Sequence, residues 1–295
     1  MRKLIISMIS LIIVIILGLS FDAISKENTI VIGTKDYPEQ ILLGEMLSLL
    51  IEEYTDLEVE KKFGYEIEEI HEPLMKGEID LYPEYTGTGW GATLKKPLIY
   101  NKDILYQEVK KAYAKEFDVE WLDRYGYNNA FGLVMKNDKA KEQGIYSYSD
   151  LALKSRPLII GGESSFFNRV DAYPGLEEKY GFEFKNKMIL DINAKYDVID
   201  IGEVDVIDVG TTDGLLRKYD LILLYDDQEY FTPYEPATII RKDTLEEHPE
   251  LEEVLNKLGG QITDEEMSRL NYLVTNSDLD VNEIAKLFLQ SKGLL

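Results

Sequence analysis

The sequence predicts an α/β fold built as two lobes, and three observations support this prediction. Short β-branched runs of strand length alternate with segments of helical periodicity. The alternation occurs once between Thr29 and Tyr82 and again after Ala130. The length of 295 residues suits two lobes and allows a sizeable core. Because strands joined through helices pair in parallel with right-handed crossovers, we expect mainly parallel sheets.

The first α/β run begins with Thr29–Thr34, a β-branched segment that we expect to be a buried strand. Pro38 then suits a helix start, and the apolar residues of Glu39–Tyr54 recur at the spacing of an amphipathic helix. The other elements predicted in this run are the strands Leu57–Phe63 and Ile79–Tyr82 and the helix Glu66–Lys76, which Gly77 ends.

The second run gives a second lobe over residues 130–235, and the first lobe comprises residues 26–129 plus 236–295. The predicted strands of the second lobe are Phe131–Met135, Leu158–Gly161, Met188–Leu190, Asp205–Val209 and Leu221–Tyr225. Its predicted helices are Tyr148–Leu153 and Gly175–Tyr180. The strand Ala237–Arg241 returns to the first lobe, and three helical pieces follow from Leu245 to the end.

Composition excludes several classes of function. The chain has 32 Lys and Arg against 55 Asp and Glu, a net charge of −23, so it repels phosphate backbones and we expect no nucleic-acid partner. The absence of cysteine excludes disulfides, thiolate nucleophiles and Cys-ligated metals. With His71 and His248 as the only histidines, a multi-histidine metal site is excluded too. We therefore expect neither a metal nor a cofactor.

The N-terminus predicts export. Arg2 and Lys3 precede an uncharged stretch, Leu4–Phe21, and Ala23 and Ser25 supply the small residues that a signal peptidase requires. Residues 1–25 are therefore a signal peptide, or an uncleaved membrane anchor, because the stretch is close to the roughly 18–20 residues that span a bilayer. Without cysteine the protein is not a lipoprotein. We expect it in the periplasm or at the cell surface.

Candidate ligand contacts follow the ends of predicted strands, since ligands of open α/β sheets bind beyond the carboxyl ends of the strands. Lys35 follows the first strand and is either an anion holder or an ordinary surface lysine. After another strand, Tyr85 and Trp90 offer aromatic faces, and Gly87 and Gly89 allow close approach of the backbone to a ligand. A structural turn with core aromatics is the alternative for this segment.

Further candidates lie in the second run. Arg169 could clamp a carboxylate with both guanidinium nitrogens, or form a surface salt bridge with Asp171. The segment Thr211–Gly214 follows the strand Asp205–Val209, and a helix N-cap explains it without a ligand. An aromatic loop over residues 231–234 marks the return crossing between the lobes.

This combination suggests a zwitterionic ligand. Its carboxylate would meet Lys35 and Arg169, and its cationic head would sit in an aromatic cage. Ser164 and Ser165 have no histidine near them in the sequence that could act as a base, so we do not expect an enzyme. A hydrolase with paired carboxylates cannot be singled out in so acidic a chain.

Several separated blocks resemble the substrate-binding components of ABC importers for quaternary amines, in that family's order. The blocks are IVIGTKDYPEQILLGEMLSLLIEE, GEIDLYPEYTGTGW, RYGYNNAFGLVM, SFFNRVDAYPGLEEKYGF, VDVIDVGTTDGLL and FTPYEPATIIRKDTL. The resemblance implies the two-lobed periplasmic-binding-protein fold, which closes on its ligand like a flytrap. It also implies binding of glycine betaine, choline, carnitine or proline betaine. The motifs Tyr-Thr-Gly-Thr-Gly-Trp and Asn-Asn-x-Phe-Gly-Leu are most similar to the ergothioneine-binding branch.

The resemblance implies roles for individual side chains. Those that resemble carboxylate contacts are Lys35, Thr88 and Arg169. Those that resemble the aromatic cage are Tyr85, Tyr234 and Phe131, the last at a position where many members have tyrosine. Further candidate contacts are Tyr37, Tyr65, Trp90, Phe166, Thr211 and Asp213.

Two departures from the family pattern keep alternatives open. The family usually has an aromatic residue before Thr-Thr-Asp-Gly, where this chain has Gly210, and a Gly-Gly-Thr stretch where this chain has Phe63–Ile67. The leading interpretation is a monomeric exported protein that delivers a small betaine-like ligand to an ABC permease in the membrane. One alternative, motivated by Gly210, is a different cationic or zwitterionic solute. The other, motivated by the N-terminal apolar stretch, is a membrane-tethered sensor lobe.

Overall fold

Two five-stranded β-sheets organise the chain. The computed structural model describes residues 28–66, 69–168, 172–191 and 194–295, so the segment predicted as signal peptide or anchor lies outside the described residues. The strands are β1 (Thr29–Lys35), β2 (Glu58–Tyr65), β3 (Leu81–Tyr85), β4 (Val119–Arg124), β5 (Phe131–Lys136), β6 (Ile159–Gly162), β7 (Asn186–Ile189), β8 (Val206–Gly210), β9 (Leu221–Leu223) and β10 (Pro236–Arg241).

Helices connect most of these strands and pack on the sheets. They are α1 (Pro38–Tyr54), α2 (His71–Lys76), α3 (Lys102–Glu116), α4 (Asn137–Gln143), α5 (Tyr148–Lys154), α6 (Ser164–Asn168), α7 (Tyr173–Tyr180), α8 (Lys195–Asp200), α9 (Leu215–Lys218), α10 (Lys242–Glu247), α11 (Glu250–Asn256), α12 (Asp264–Asn276) and α13 (Val281–Ser291). A π-helical turn, Thr88–Thr93, follows β3. No helix of the described ranges is long and apolar enough to span a membrane.

The α/β class is confirmed, and both sheets are mixed: four strands of each sheet run in one direction, and β10 in the first sheet and β5 in the second run against them. The first sheet has the order β2-β1-β3-β10-β4 and the second β7-β6-β8-β5-β9. In the first sheet β1 is parallel to both neighbours and β10 antiparallel to both. In the second, β6 is parallel to both neighbours and β5 antiparallel to both. The antiparallel strands β5 and β10 enter their sheets directly from a crossing segment instead of through a helix.

Local sequence signals explain most element boundaries. Pro38 occupies the first turn of α1, and Gly77 ends α2 in the left-handed conformation, with φ of 68°. The helix predicted from Glu66 begins only at His71, because the chain is still leaving β2 at Tyr65. The strand β4 was not predicted, since charged residues interrupt its apolar pattern.

The chain crosses between the sheets twice, from β4 to β5 and from β9 to β10. The crossings hydrogen-bond to each other: the backbone N–H of Asn129 donates to the carbonyl of Tyr234 (3.1 Å), and the backbone N–H of Tyr234 donates to Oδ1 of Asn128 (2.7 Å). Phe131 and Tyr234 therefore lie side by side between the two sheets. The lobe boundaries at residues 129/130 and 235/236 stay a prediction.

Candidate functional site

The carboxyl ends of β1 and β3 bring Lys35 and Tyr85 together. Lys35 is buried, and its ammonium donates a hydrogen bond to the buried carboxylate of Glu84. The same ammonium lies 5.3 Å from the ring centroid of Tyr85 and 6.0 Å from that of Tyr82. From its residues alone, the sequence leaves Lys35 as either an anion holder or an ordinary surface lysine; in the structure it is buried, and Glu84 already neutralises its charge.

Glu84 extends this contact into a network behind the site. Its carboxylate also accepts hydrogen bonds from the Tyr82 hydroxyl (3.2 Å) and from the Tyr85 backbone N–H (2.7 Å). The Tyr82 hydroxyl lies 3.4 Å from Nδ1 of His71. Burial lowers the pKa of His71; Glu84 opposes this shift and Lys35 adds to it. A titratable histidine is thus connected to the Lys35–Glu84 ion pair.

The Tyr85 hydroxyl points to a second buried carboxylate. It donates to Oε1 of Glu39 over 2.6 Å, and the Tyr127 hydroxyl donates to the same oxygen over 2.8 Å. Burial beside Glu39 raises the pKa of both tyrosines well above their usual value. Both hydroxyls therefore stay protonated. Tyr85 is fixed at two points, because its backbone N–H donates to Glu84 and its hydroxyl donates to Glu39.

Aromatic rings meet at the crossing between the sheets. The Phe131 centroid lies 5.8 Å from that of Phe231, at an interplanar angle of 36°, and 6.2 Å from that of Tyr234, at 88°. Tyr234 packs on the segment after β3, because a Cβ added to Gly87 would lie 2.8 Å from Cε1 of its ring. The half-buried Thr88 begins the π-helical turn one residue later. Phe131 and Tyr234 therefore meet here, the segment that carries Thr88 begins beside them, and Tyr85 pairs with Pro236, two residues after Tyr234.

A cavity of about 590 Å³ opens beside Phe131, between the two sheets. Phe131 and Gly132 of β5 and Thr211, which follows β8, contribute to its wall, together with residues 100–102 at the start of α3. Gly210 pairs directly with Phe131 across β8 and β5, so a side chain at Gly210 would lie on the same face of the sheet as the Phe131 ring. A Cβ there would meet only Asn129, with Oδ1 at 3.0 Å.

Other predicted contacts are engaged elsewhere. Trp90 is buried in the first lobe's core, and its Nε1 donates to the Pro97 carbonyl over 2.6 Å. Phe166 is buried in the second sheet's core, with its centroid 5.8 Å from that of Tyr173. Arg169 lies outside the described residues.

Two further predicted contacts have structural hydrogen bonds, and Asp213 is engaged at a helix start as the capping alternative suggests. The Thr211 hydroxyl donates to the Asn128 carbonyl (2.9 Å) and accepts from the Ala130 N–H (3.0 Å). Asp213 accepts from the Leu215 N–H at the start of α9 (2.9 Å) and from the Tyr196 hydroxyl.

Tyr37 and Tyr65 lie near the end of β1. Tyr65 pairs with Lys35 in the β1–β2 ladder and packs on the first lobe's core. Tyr37 is half-buried at the N-cap of α1. Burial and the carboxylates of Glu39 and Glu84 raise its pKa well above the usual value, against the influence of Tyr85.

Sequence reasoning missed the polar residues in the first turn of α1. Glu39 is 3% exposed, and the amide of the fully buried Gln40 has no partner in hydrogen-bonding geometry among the described residues, although the Tyr37 hydroxyl lies nearby. The available signal was their position directly after Lys35-Asp36-Tyr37-Pro38, at the end of a predicted strand. Within the described ranges, no group of three or more Asp, Glu or His side chains is arranged to hold a metal ion.

Comparison with known proteins decides the family. The substrate-binding domain of ABC-type glycine betaine transport systems matches residues 28–291. The chain belongs to this family. It is 38% identical over 271 residues to an ergothioneine transport permease/ergothioneine binding protein of Helicobacter pylori (strain G27), covering 91% of this chain and 48% of that protein. The chain thus spans about half the length of that relative.

Two further relatives match over nearly their whole length. A carnitine transport binding protein of Listeria monocytogenes is 31% identical over 273 residues, which is 91% of this chain and 88% of that protein. The crystal structure of a glycine betaine/carnitine/choline ABC transporter protein superposes with a TM-score of 0.84 and 30% identity, covering 90% of this chain and 99% of that one. The predicted family and its two-lobed fold are therefore confirmed. Its members are extracytoplasmic substrate-binding proteins of ABC importers and not enzymes, as predicted.

Proposed function

We propose that the chain binds a betaine-like quaternary ammonium compound between its two sheets and delivers it to an ABC permease. The observation that carries this proposal is the edge-to-face contact of Phe131 and Tyr234 at the crossing, next to the end of β3 that carries Tyr85. Aromatic faces attract a cation that cannot donate hydrogen bonds, by about 0.5–2 kcal/mol each. Relatives whose names specify ergothioneine and carnitine support the same ligand class.

The carboxylate of such a ligand needs donors that are not already engaged. Lys35 is paired with Glu84, so we assign it mainly to holding the Tyr85 ring. On the first sheet's side we assign this contact to the hydroxyl of the half-buried Thr88. Arg169, to which the resemblance gives a carboxylate contact, supplies the charge.

The substrate class is tested by calorimetric titration with glycine betaine, carnitine, choline and ergothioneine, with lysine as a cation that lacks the quaternary head. Tyr85→Ala is expected to lower affinity at least tenfold, which corresponds to about 1.4 kcal/mol. The matched control is Tyr54→Ala, at the far end of α1, where the hydroxyl donates to the Leu294 carbonyl. Unchanged affinity in Tyr85→Ala, or a response to lysine alone, would overturn the proposal.

Gly210 favours a ligand larger than glycine betaine, such as ergothioneine. The aromatic wall that the family usually has is absent there, and a Cβ at Gly210 would meet only Asn129, so the space beside Phe131 is open on that side. Gly210→Phe is expected to weaken ergothioneine binding and to leave glycine betaine binding equal or stronger, because the added ring supplies a cation–π contact. Gly210→Ala is the control for the backbone. Parallel effects on both ligands would show that Gly210 does not set ligand size.

We further propose that the protein works as a monomer and is exported by its N-terminal segment. Sequencing the N-terminus of the mature protein distinguishes a cleaved signal peptide from a retained membrane anchor. A start at Lys26 indicates cleavage, and an intact segment indicates a membrane anchor.

A further inference from the structure

Glu39 is a buried carboxylate that neutral donors surround. Its Oε1 accepts from the hydroxyls of Tyr85 (2.6 Å) and Tyr127 (2.8 Å) and from the amide of Asn129 (3.1 Å). Its Oε2 accepts from the hydroxyl of Thr212 (2.7 Å) and the amide of Asn271 (2.7 Å). The buried lysines Lys35 and Lys195 pair with other carboxylates, Glu84 and Glu163.

These donors come from separate parts of the fold. Tyr85 ends β3 in the first sheet, and Asn129 lies in the crossing. Thr212 belongs to the loop after β8 in the second sheet, and Asn271 belongs to α12, which packs on α1. One carboxylate therefore connects both sheets, one crossing and a C-terminal helix.

The loop after β8 is held against α12 independently of Glu39. The Asn271 amide also donates to the Thr212 carbonyl (3.0 Å), and the Ser268 hydroxyl donates to the Asp213 carbonyl (3.3 Å). A Cβ added to Gly214 would lie 2.4 Å from the backbone nitrogen of Tyr272, so the two backbones touch. The hydroxyl of Thr212 is thus presented to Glu39 from a fixed position.

We propose that Glu39 is a positioning residue for ligand binding, which orients the Tyr85 ring of the cage and ties that ring to the Thr212 loop of the second sheet. The proposal rests on the proposed function, because it takes Tyr85 as a ligand contact. A shift of the second sheet relative to the first would then move the Thr212 loop and, through Glu39, change the orientation of the Tyr85 ring. Cage affinity then depends on a hydroxyl that does not touch the ligand.

The test separates the Thr212 hydroxyl from the rest of the side chain. Thr212→Val keeps the shape and removes the donor, and Thr212→Ser keeps the donor. Ser268→Ala removes a neighbouring hydrogen bond that does not reach Glu39. Glu39→Gln removes the charge itself, and the Thr212 pair remains informative if that variant fails to fold. Affinity is measured calorimetrically for glycine betaine, carnitine and ergothioneine, and thermal unfolding is recorded without ligand.

The expected result is an affinity at least tenfold lower in Thr212→Val, with Thr212→Ser and Ser268→Ala within about threefold of the unmodified chain. A tenfold change corresponds to about 1.4 kcal/mol. Thr212→Val that loses thermal stability but binds normally would overturn the proposal, because Glu39 would then act on folding alone.

A second measurement, the distance between two spin labels, distinguishes failure of the Glu39 proposal from failure of the proposed function. The chain has no cysteine, so Leu153→Cys in the second lobe and Leu287→Cys on α13 provide exposed sites for a spin-label pair. If the unmodified chain binds none of the ligands, the proposed function fails. The role of Glu39 in ligand binding fails with it, but the link from Glu39 to the Thr212 loop stands if Thr212→Val broadens the distance distribution between the labels and Thr212→Ser does not. Identical distributions overturn it.

Discussion

Removal of the Lys35 ammonium is expected to destabilise the fold, in addition to any effect on ligand binding. Lys35 and Glu84 are 1% and 2% exposed, so water screens their attraction very little. Lys35→Met would leave Glu84 as an unpaired buried charge among the Tyr82 and Tyr85 contacts. Breaking a buried pair in this way costs about 3–5 kcal/mol. That is a large part of the stability of an ordinary domain.

Urea-induced unfolding measures this effect. The double variant Lys35→Met/Glu84→Gln is expected to be more stable than Lys35→Met, because no buried charge is left unpaired. Lys76→Met, which removes an exposed ammonium from Glu72, is the control and is expected to unfold like the unmodified chain. If Lys35→Met instead loses affinity but stays within about 1 kcal/mol of the unmodified free energy of unfolding, the reasoning is refuted. Lys35 would then be the free anion holder that the sequence predicts.

Two further predictions concern Gly214 and His71. Gly214→Ala is expected to lower the free energy of unfolding by about 1–3 kcal/mol, since its Cβ would displace Tyr272. The control is Gly91→Ala, whose Cβ would make an ordinary 3.8 Å contact and should change the free energy of unfolding little. Equal effects of the two substitutions would contradict the close approach of Gly214 to Tyr272. Burial lowers the pKa of His71, so its contribution to stability is present above the unfolded pKa of about 6.5 and is lost as pH falls through the folded value. Urea unfolding between pH 7.5 and 5.5 should therefore show a smaller loss of stability in His71→Gln than in the unmodified chain or in His248→Gln, and identical profiles would rule this out.

The fold was largely predictable because its signals are local. The β-branched run at Thr29–Thr34 and the apolar spacing of Glu39–Tyr54 correspond to β1 and α1 within a residue or so. The direction of each strand within its sheet was harder to predict from the sequence. The direction of β5 and β10 depends on where the chain enters each sheet, and local periodicity carries no information about that.

The polar partners of the site were not predictable for a related reason. Lys35 and Glu84 are 49 residues apart in sequence, and Glu39 and Thr212 are 173 apart. Pairings at such separations exist only after the elements that carry the two residues have come together in the fold. A charged residue at the end of a strand indicates a site, but whether its charge is free or paired depends on residues that no local pattern connects to it.

The structure changes how charge bears on the ligand. The sequence assigns the carboxylate to two cations, Lys35 and Arg169, one from each lobe. Among the described residues, however, one ammonium and two buried carboxylates lie beside Tyr85, with Glu84 on β3 and Glu39 on α1. Lys35 neutralises Glu84, so Glu39 leaves this side with one net negative charge, which favours a cation over a carboxylate. Under the proposed function we therefore expect the quaternary ammonium head on this side, and the resemblance assigns the positive partner of the ligand's carboxylate to Arg169.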